Sequence, residues 1–288
     1  MKYYGDVYRP PSEARSLIIQ CTIGCSQNTC IFCPMYKEDH FHIRRQKDIL
    51  EDLEEMAMYI PHTRRIFLAD GDALVIPTER LLEILDTAYN LYPLLERVTA
   101  YATVGDILRK SEEELEALVA HGLSMLYIGL ESGSDRILEE MGKKQKRDEY
   151  VEACLKAKRA GFLLSITLLF GLGEKENSKE HIEESAKAIS ASRPHFVSFL
   201  SLQLSPKAPI YQEVLKGNFT MLDDDEIMEE MSQFISLVDS PRTIFRSNHA
   251  SNPKAVKGVF NEDKERMLKE IQQTMKNKDY RSKYYRGI

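Results

Sequence analysis

Between residues 16 and 202 a short, apolar, β-prone run gives way to a helical pattern again and again. The β-prone runs are residues 16–22 (SLIIQCT), 65–70 (RIFLAD), 97–103, 125–131 (MLYIGLE), 163–170 and 196–202. Helical patterns fill the intervals at 46–60, 78–92, 111–122, 134–141 with 147–160, and 178–190. In the first of these, Ile49, Leu53, Met56 and Ile60 fall on one face and Pro61 ends the run. Ser111 with Glu114, and Asn177 with Glu180, have the spacing of capping boxes. Strand–helix–strand units of this kind cross over right-handedly and build a parallel sheet. The alternation therefore predicts an α/β fold, a partial (βα)6 TIM-like barrel over residues 16–202. Residues 1–15 read as a lead-in. Residues 203–288, with helical segments at 223–238 and 261–275 around a short strand at 243–246, read as a C-terminal helical extension covering the barrel opening.

Composition removes several classes. With 43% hydrophobic residues the chain is too apolar to be disordered, and 14 Gly and 11 Pro are too few for a fibrous protein. No apolar run approaches the roughly 18–20 residues of a membrane span. The opening Met1-Lys2-Tyr3-Tyr4 has no apolar signal segment, so a cytoplasmic protein is expected. A net charge of −6, from 39 basic and 45 acidic residues, argues against binding driven by a DNA backbone.

The five cysteines are unevenly placed. Cys21, Cys25, Cys30 and Cys33 lie together, and Cys154 stands alone inside a helical pattern. A disulfide framework would be spread along the chain, so the cluster points to a metal. Polar or glycine-rich turns follow every strand: the Cys loop, Gly71-Asp72, Gly105-Asp106, Glu131-Ser132-Gly133-Ser134, Gly171-Leu172-Gly173-Glu174 and Gln203-Leu204-Ser205-Pro206. These are strand C-termini, the face on which α/β barrels place their chemistry.

Gly24-Cys25-Ser26-Gln27-Asn28-Thr29-Cys30-Ile31-Phe32-Cys33 resembles the cluster loop of the radical S-adenosylmethionine (SAM) superfamily, with an aromatic before the last cysteine. Gly71-Asp72-Ala73 is similar to the family's Gly-Gly-Glu turn. Tyr127–Ser134 is similar to the fourth strand of a branch that holds oxygen-independent coproporphyrinogen dehydrogenase, tRNA methylthiotransferases and the Elongator catalytic subunit. Residues 166–174 and 204–211 are similar to the family's fifth-strand motif and to the segment after its sixth strand. The resemblance spans residues 16–211. The spacing here, C-x4-C-x2-C, departs from the C-x3-C-x2-C of most members.

The resemblance implies a [4Fe–4S] cluster on Cys25, Cys30 and Cys33, with one iron open to S-adenosyl-L-methionine. It implies reductive cleavage of SAM to a 5′-deoxyadenosyl radical that abstracts hydrogen from a substrate, fed by a low-potential electron donor such as flavodoxin or ferredoxin. Phe32 is expected beside the adenine, Gly71 and Asp72 at the methionyl amino group, and Glu131 with Ser132 at the ribose or methionyl end. Gly171 and Gly173 are expected to let the backbone approach the nucleoside. Only Cys21 and Cys154 remain for other duties, too few for the second cluster that sulfur insertion requires.

Two other readings stay open on the residues alone. Cys25, Cys30 and Cys33 with His40 or His42 have the makings of a zinc site, and a cysteine-held cluster also suits an electron carrier. The substrate is unspecified, a small molecule in preference to RNA. His249, in the polar stretch Ser247-Asn248-His249-Ala250-Ser251-Asn252, is a candidate catalytic or substrate-orienting residue, or else part of an Asx-type turn. The basic and aromatic residues of 276–288 suggest a solvated terminal segment before an RNA contact.

Overall fold

The computed structural model describes residues 1–286. In chain order the elements are β1 (Leu17–Gln20), β2 (Thr22–Ile23), β3 (His42–Ile43), α1 (Gln46–Tyr59), β4 (Arg65–Ala69), α2 (Thr78–Leu91), β5 (Arg97–Tyr101), α3 (Val104–Arg109) and α4 (Glu112–Ala120). Next come β6 (Leu123–Glu131), α5 (Asp135–Glu140), α6 (Arg147–Arg159), β7 (Leu163–Phe170), α7 (Ser178–Ser192) and β8 (Phe196–Ser201). The remainder is α8 (Ile210–Lys216), α9 (Asp224–Leu237), β9 (Ile244–Arg246), β10 (Lys257–Val259), α10 (Lys264–Asn277) and α11 (Lys283–Arg286). The eight-stranded sheet has the order β1-β4-β5-β6-β7-β8-β9-β10, and β2 pairs with β3 apart from it. β1–β4, β4–β5, β5–β6, β7–β8 and β8–β9 are parallel, and β10 runs antiparallel to β9.

The expected strands and helices are present. Beyond residue 202 the strand expected at 243–246 forms as β9 and pairs with β8 in the main sheet, and β10, which was not expected, pairs with it. Three-residue strands are too short to show a period, and α3 and α8 are short for the same test. The capping box at Ser111 and Glu114 forms. The one expected at Asn177 does not: Asn177 Oδ1 accepts from Arg136, and Glu180 is held by Arg136 and Ser134.

The chain divides into two compact units. The first comprises Met1–Asn28, Met35–Ile128 and Leu155–Leu164. Its β1 is buried along its whole length, as a parallel strand covered on both faces should be. The lead-in belongs to it: Gln20 exchanges side-chain hydrogen bonds of 2.9 Å with the backbone of Tyr4, and buried Glu13 accepts from Arg97 at 2.8 Å and Tyr127 at 2.5 Å.

The second unit comprises Thr29–Pro34, Gly129–Cys154 and Ser165–Ile288. Phe170 of β7 stacks on Phe199 of β8 at 3.8 Å, and Phe234 of α9 meets Phe199 edge-on at 4.4 Å. Phe245 and Phe260 continue the cluster at 5.3 Å from each other. Residues on both sides of position 202 thus share one apolar core.

Candidate functional site

In the first unit, Cys25 follows β2. The Gly71 N–H donates to the Gly24 carbonyl at 3.2 Å and brings the turn after β4 against the Cys loop. Gly71 has no room for a side chain, since a Cβ there would stand 2.9 Å from Cys25 Cβ and 2.9 Å from the Tyr36 ring. Asp72 is fully buried. Ser26 Oγ donates to its Oδ2, while its Oδ1 is buried without a hydrogen-bond partner. Burial pushes its pKa well above the ordinary value, and neighbouring Asp106 adds to the rise. Asp106 is itself held by Thr103 and Arg109. Asp70, which takes 2.8 Å from Gln20 Nε2, is raised to about 6, chiefly by burial.

Cys30, Phe32 and Cys33 belong to the second unit. The Ile31 N–H donates to Met141 O at 2.9 Å, the Ile31 carbonyl accepts from the Ile210 N–H at 2.9 Å, and Thr29 Oγ1 donates to Gly142 O at 2.6 Å. Phe32 is buried among Ile137, Met141, Leu172, Leu202 and Ile210. Its ring therefore anchors the segment, and Cys30 and Cys33 sit half-buried to either side of it.

Glu131 ends β6 with φ +67, and the Ser132 N–H donates back to the Leu130 carbonyl at 2.9 Å. A three-residue turn with positive φ at its centre is the rare, strained γ form, costing on the order of 1–3 kcal/mol. The Glu131 side chain folds back over Gly129, where a Cβ would lie 2.0 Å from Oε1. Lys143 Nζ lies at a long 3.4 Å from its Oε1. Burial raises the Glu131 pKa and Lys143 offsets part of the rise. The Ser132 hydroxyl is buried and engaged with His181 Nδ1 at 2.8 Å and with the Ser134 N–H at 3.1 Å.

Gly171, at φ +88, donates its N–H to buried Glu230 at 2.8 Å, and Ser178 Oγ donates to the other oxygen at 2.7 Å. Gly173 packs tightly on the start of α7, where a Cβ would come 2.8 Å from Asn177 O. Both glycines thus have turn and packing reasons for being glycine.

His249 is half-buried. Its Nδ1 lies 2.8 Å from Ser251 Oγ and accepts from the Ser251 N–H at 3.1 Å. Asn252 donates to the carbonyls of Phe199 at 2.6 Å and Ser247 at 2.9 Å. These are the bonds of a structural turn. From the terminal segment, Lys278 and Tyr280 bind Asp225, Arg281 donates to His249 O at 2.9 Å and Arg286 to Asp224 at 2.6 Å. Gly287 and Ile288 lie outside the described residues.

None of the five cysteines is in a disulfide. Cys21 and Cys154 are fully buried, and burial pushes the Cys21 thiol up to about 12, so it stays a neutral thiol of the core. Cys25, Cys30 and Cys33 are each partly exposed. Among the described residues no three His, Cys, Asp or Glu side chains are gathered closely enough to hold a metal ion. In donor chemistry the residues nevertheless suit iron–sulfur ligands: each of the three thiols is partly exposed, and within the first unit Gly71 leaves Cys25 its space. His42, offered for zinc, lies in the β2–β3 pair with Nδ1 3.0 Å from the His40 carbonyl.

Sequence reasoning singled out neither Ser26, Asp70, Lys143 nor His181. Asp106 stood in a polar turn but was given no task. Ser26, Asp70, Lys143 and His181 meet their partners across 12 or more positions of sequence, so only the short turn motifs had a local signal.

Residues 19–187 match the model of the radical SAM superfamily. The heme chaperone HemW of Bacillus subtilis is 25% identical over 171 residues, 59% of this chain and 44% of the relative. The chain spans less than half the length of the curated relatives it matches. Methylornithine synthase has the same fold with a TM-score of 0.55 at 14% identity, covering 92% of this chain and 82% of that one. Coproporphyrinogen III oxidase of Escherichia coli, a radical SAM enzyme, gives a TM-score of 0.56 at 14% identity, with coverages of 77% of this chain and 52% of that one. Among the described residues no helix is long and apolar enough to cross a membrane. With its mostly parallel sheet of the partial TIM-barrel kind and its three-cysteine loop after the first strand, the chain belongs to the radical SAM superfamily, whose members use a [4Fe–4S] cluster and S-adenosyl-L-methionine.

Proposed function

We propose that this chain is a radical SAM enzyme that generates a 5′-deoxyadenosyl radical and abstracts hydrogen from a small organic substrate. Cys25, Cys30 and Cys33 would hold the cluster. When bound, the cluster and SAM supply the one-electron cleavage of the sulfonium–C5′ bond. The chain's own task is to bind and orient. Asp72 would accept from the methionyl ammonium, a cation that lets this buried carboxyl ionise despite its raised pKa. Glu131 would accept from the ribose hydroxyls or the methionyl end. Gly71 would keep the turn close to Cys25, and the Phe32 ring would fix the backbone that flanks the adenine.

The observation that carries the reading is Asp72, a fully buried acid beside Asp106, with one oxygen that no donor of the protein reaches. Such an atom costs roughly 1–3 kcal/mol in a folded protein unless a ligand satisfies it. The test is anaerobic reconstitution, followed by iron and sulfide analysis and an assay for 5′-deoxyadenosine. Alanine at Cys25, Cys30 or Cys33 is expected to abolish cluster absorbance and SAM cleavage, while Cys21→Ala keeps both. A parent protein that takes up zinc and forms no 5′-deoxyadenosine overturns the proposal. The proposed electron source is a low-potential carrier such as flavodoxin or ferredoxin. The proposed domain plan keeps residues 16–202 as the catalytic core and 203–288 as its C-terminal extension.

A further inference from the structure

His181 lies on α7, fully buried, and is neither a proposed ligand nor part of the family turn motifs. Its Nε2 is 2.9 Å from the Leu169 carbonyl, and a carbonyl can only accept. Nε2 therefore carries the proton, and Nδ1 must accept from the Ser132 hydroxyl at 2.8 Å. With its own hydrogen so engaged, Ser132 Oγ accepts from the Ser134 N–H at 3.1 Å. Each polar atom of the chain has one possible role, so Ser132 is held in one orientation. Burial lowers the His181 pKa to about 4, and the neutral ring keeps this pattern across the working pH range of a protein.

Ser132 is the residue whose N–H closes the strained turn at Glu131. The same turn is gripped by α7 on either side of His181, since the Gly133 N–H donates to Ser185 Oγ at 2.9 Å and Ser134 Oγ donates to Glu180. A positive φ at a glutamate persists only where its surroundings impose it. Without the grip, Glu131 would relax into ordinary strand geometry and its carboxylate would leave its place over Gly129.

We propose that His181 is a positioning residue which, through the Ser132 hydroxyl, holds Glu131 in the strained turn from which its carboxylate meets SAM. The inference rests on the reading of Glu131 given above.

The experiment is a double-mutant cycle on the reconstituted holoenzyme, with SAM affinity measured by anaerobic equilibrium dialysis and folding followed by thermal melting. His181→Met, close in volume and unable to make either hydrogen bond, is measured alone and in the E131Q background. His181→Gln, which retains a donor and an acceptor, serves as the rescue. His181→Met is expected to weaken SAM binding about tenfold alone and less than about twofold with E131Q, while His181→Gln stays within about threefold of the parent. Equal weakening in both backgrounds, or none in the parent, overturns the role of His181 and leaves that of Glu131 standing. If Glu131→Gln itself leaves SAM affinity unchanged, the reading of Glu131 fails, and the inference with it. Should His181→Met fail to fold, Ser132→Ala, which removes only the hydroxyl, passes through the same cycle. If neither variant folds, the contact serves the fold as a whole and the inference is overturned.

Discussion

Asp72, in the turn after β4, is a fully buried acid with one oxygen that finds no donor, and Glu131, which ends β6, is a largely buried acid with one long-range cation for company. A carboxylate in such surroundings is costly unless paired. Glu131 has Lys143 at 3.4 Å, long for a charged hydrogen bond. Glu131→Gln preserves shape and removes the charge. It is expected to weaken SAM binding by about 1–3 kcal/mol, the range for a hydrogen bond to a charged group, with cluster content unchanged. Calorimetric titration of the reconstituted variant against the parent checks this, and equal affinities would return Glu131 to a structural role. By contrast His249, the other acid–base candidate of the sequence, has its Nδ1 engaged by Ser251, and burial lowers its pKa. Its alanine variant is expected to lose thermal stability and to keep turnover per folded molecule.

At the scale of elements, the turn after β6 and helix α7 act together. Gly133 lies so close to α7 that a Cβ would stand 2.2 Å from the backbone of Glu184. The obstacle is backbone, which cannot swing aside as a side chain does. Gly133→Ala is expected to cost about 1–3 kcal/mol of stability, as overpacking does, read from the denaturant midpoint. An unchanged midpoint would mean that α7 shifts without loss. The turn motif Glu131-Ser132-Gly133-Ser134 was legible in the sequence as a turn after a strand and as a candidate site. Its clamp was not, because His181, Ser185 and Glu180 are chosen by packing across a large sequence separation. The expected capping box at Asn177 failed for the same reason, since Arg136 draws Asn177 and Glu180 away from their local partners.

For the whole molecule, the apolar core of the second unit sets how far the chain can be cut. Phe170 and Phe199 pack on Phe234, and Phe245 and Phe260 extend the cluster. A fragment ending at residue 202 would lose Phe234, Phe245 and Phe260, expose Phe170, Phe199 and the edge of β8, and is expected to aggregate or to lack a cooperative melt. A soluble, cooperatively melting fragment would show residues 16–202 to be self-sufficient. Stability also depends on pH through Glu230, raised from 4.5 to about 7 by burial. Below pH 4.5 the group is protonated folded or unfolded and adds nothing. As pH climbs from 4.5 through 7, only the unfolded chain gains by ionising, so stability falls by about 3 kcal/mol and then levels off. Glu230→Gln can keep the bonds to Gly171 and Ser178 without the charge. The parent-minus-variant melting difference is expected to widen over that window, and a difference flat with pH would refute the assignment.

The sequence by itself determined the alternation of strands and helices, the parallel sheet, and the family. Period and turn chemistry are local, and the cysteine loop, Gly71-Asp72, Glu131 and the Gly171 turn are short strings whose order carries the class. The sequence also set Cys21 and Cys154 apart from the three loop cysteines, and both are buried in the structure while Cys25, Cys30 and Cys33 are partly exposed; tertiary structure alone decided which distant groups each polar residue meets. It also decided that Asp72 shares its surroundings with Asp106, that β9 and β10 extend the sheet, and that His181 reaches the Glu131 turn. The physical reason is common to all of these. Burial and hydrogen-bond partners are set by residues brought together by the fold, and a polar or acidic side chain gives no sign along the chain of which distant partner, or ligand, will satisfy it.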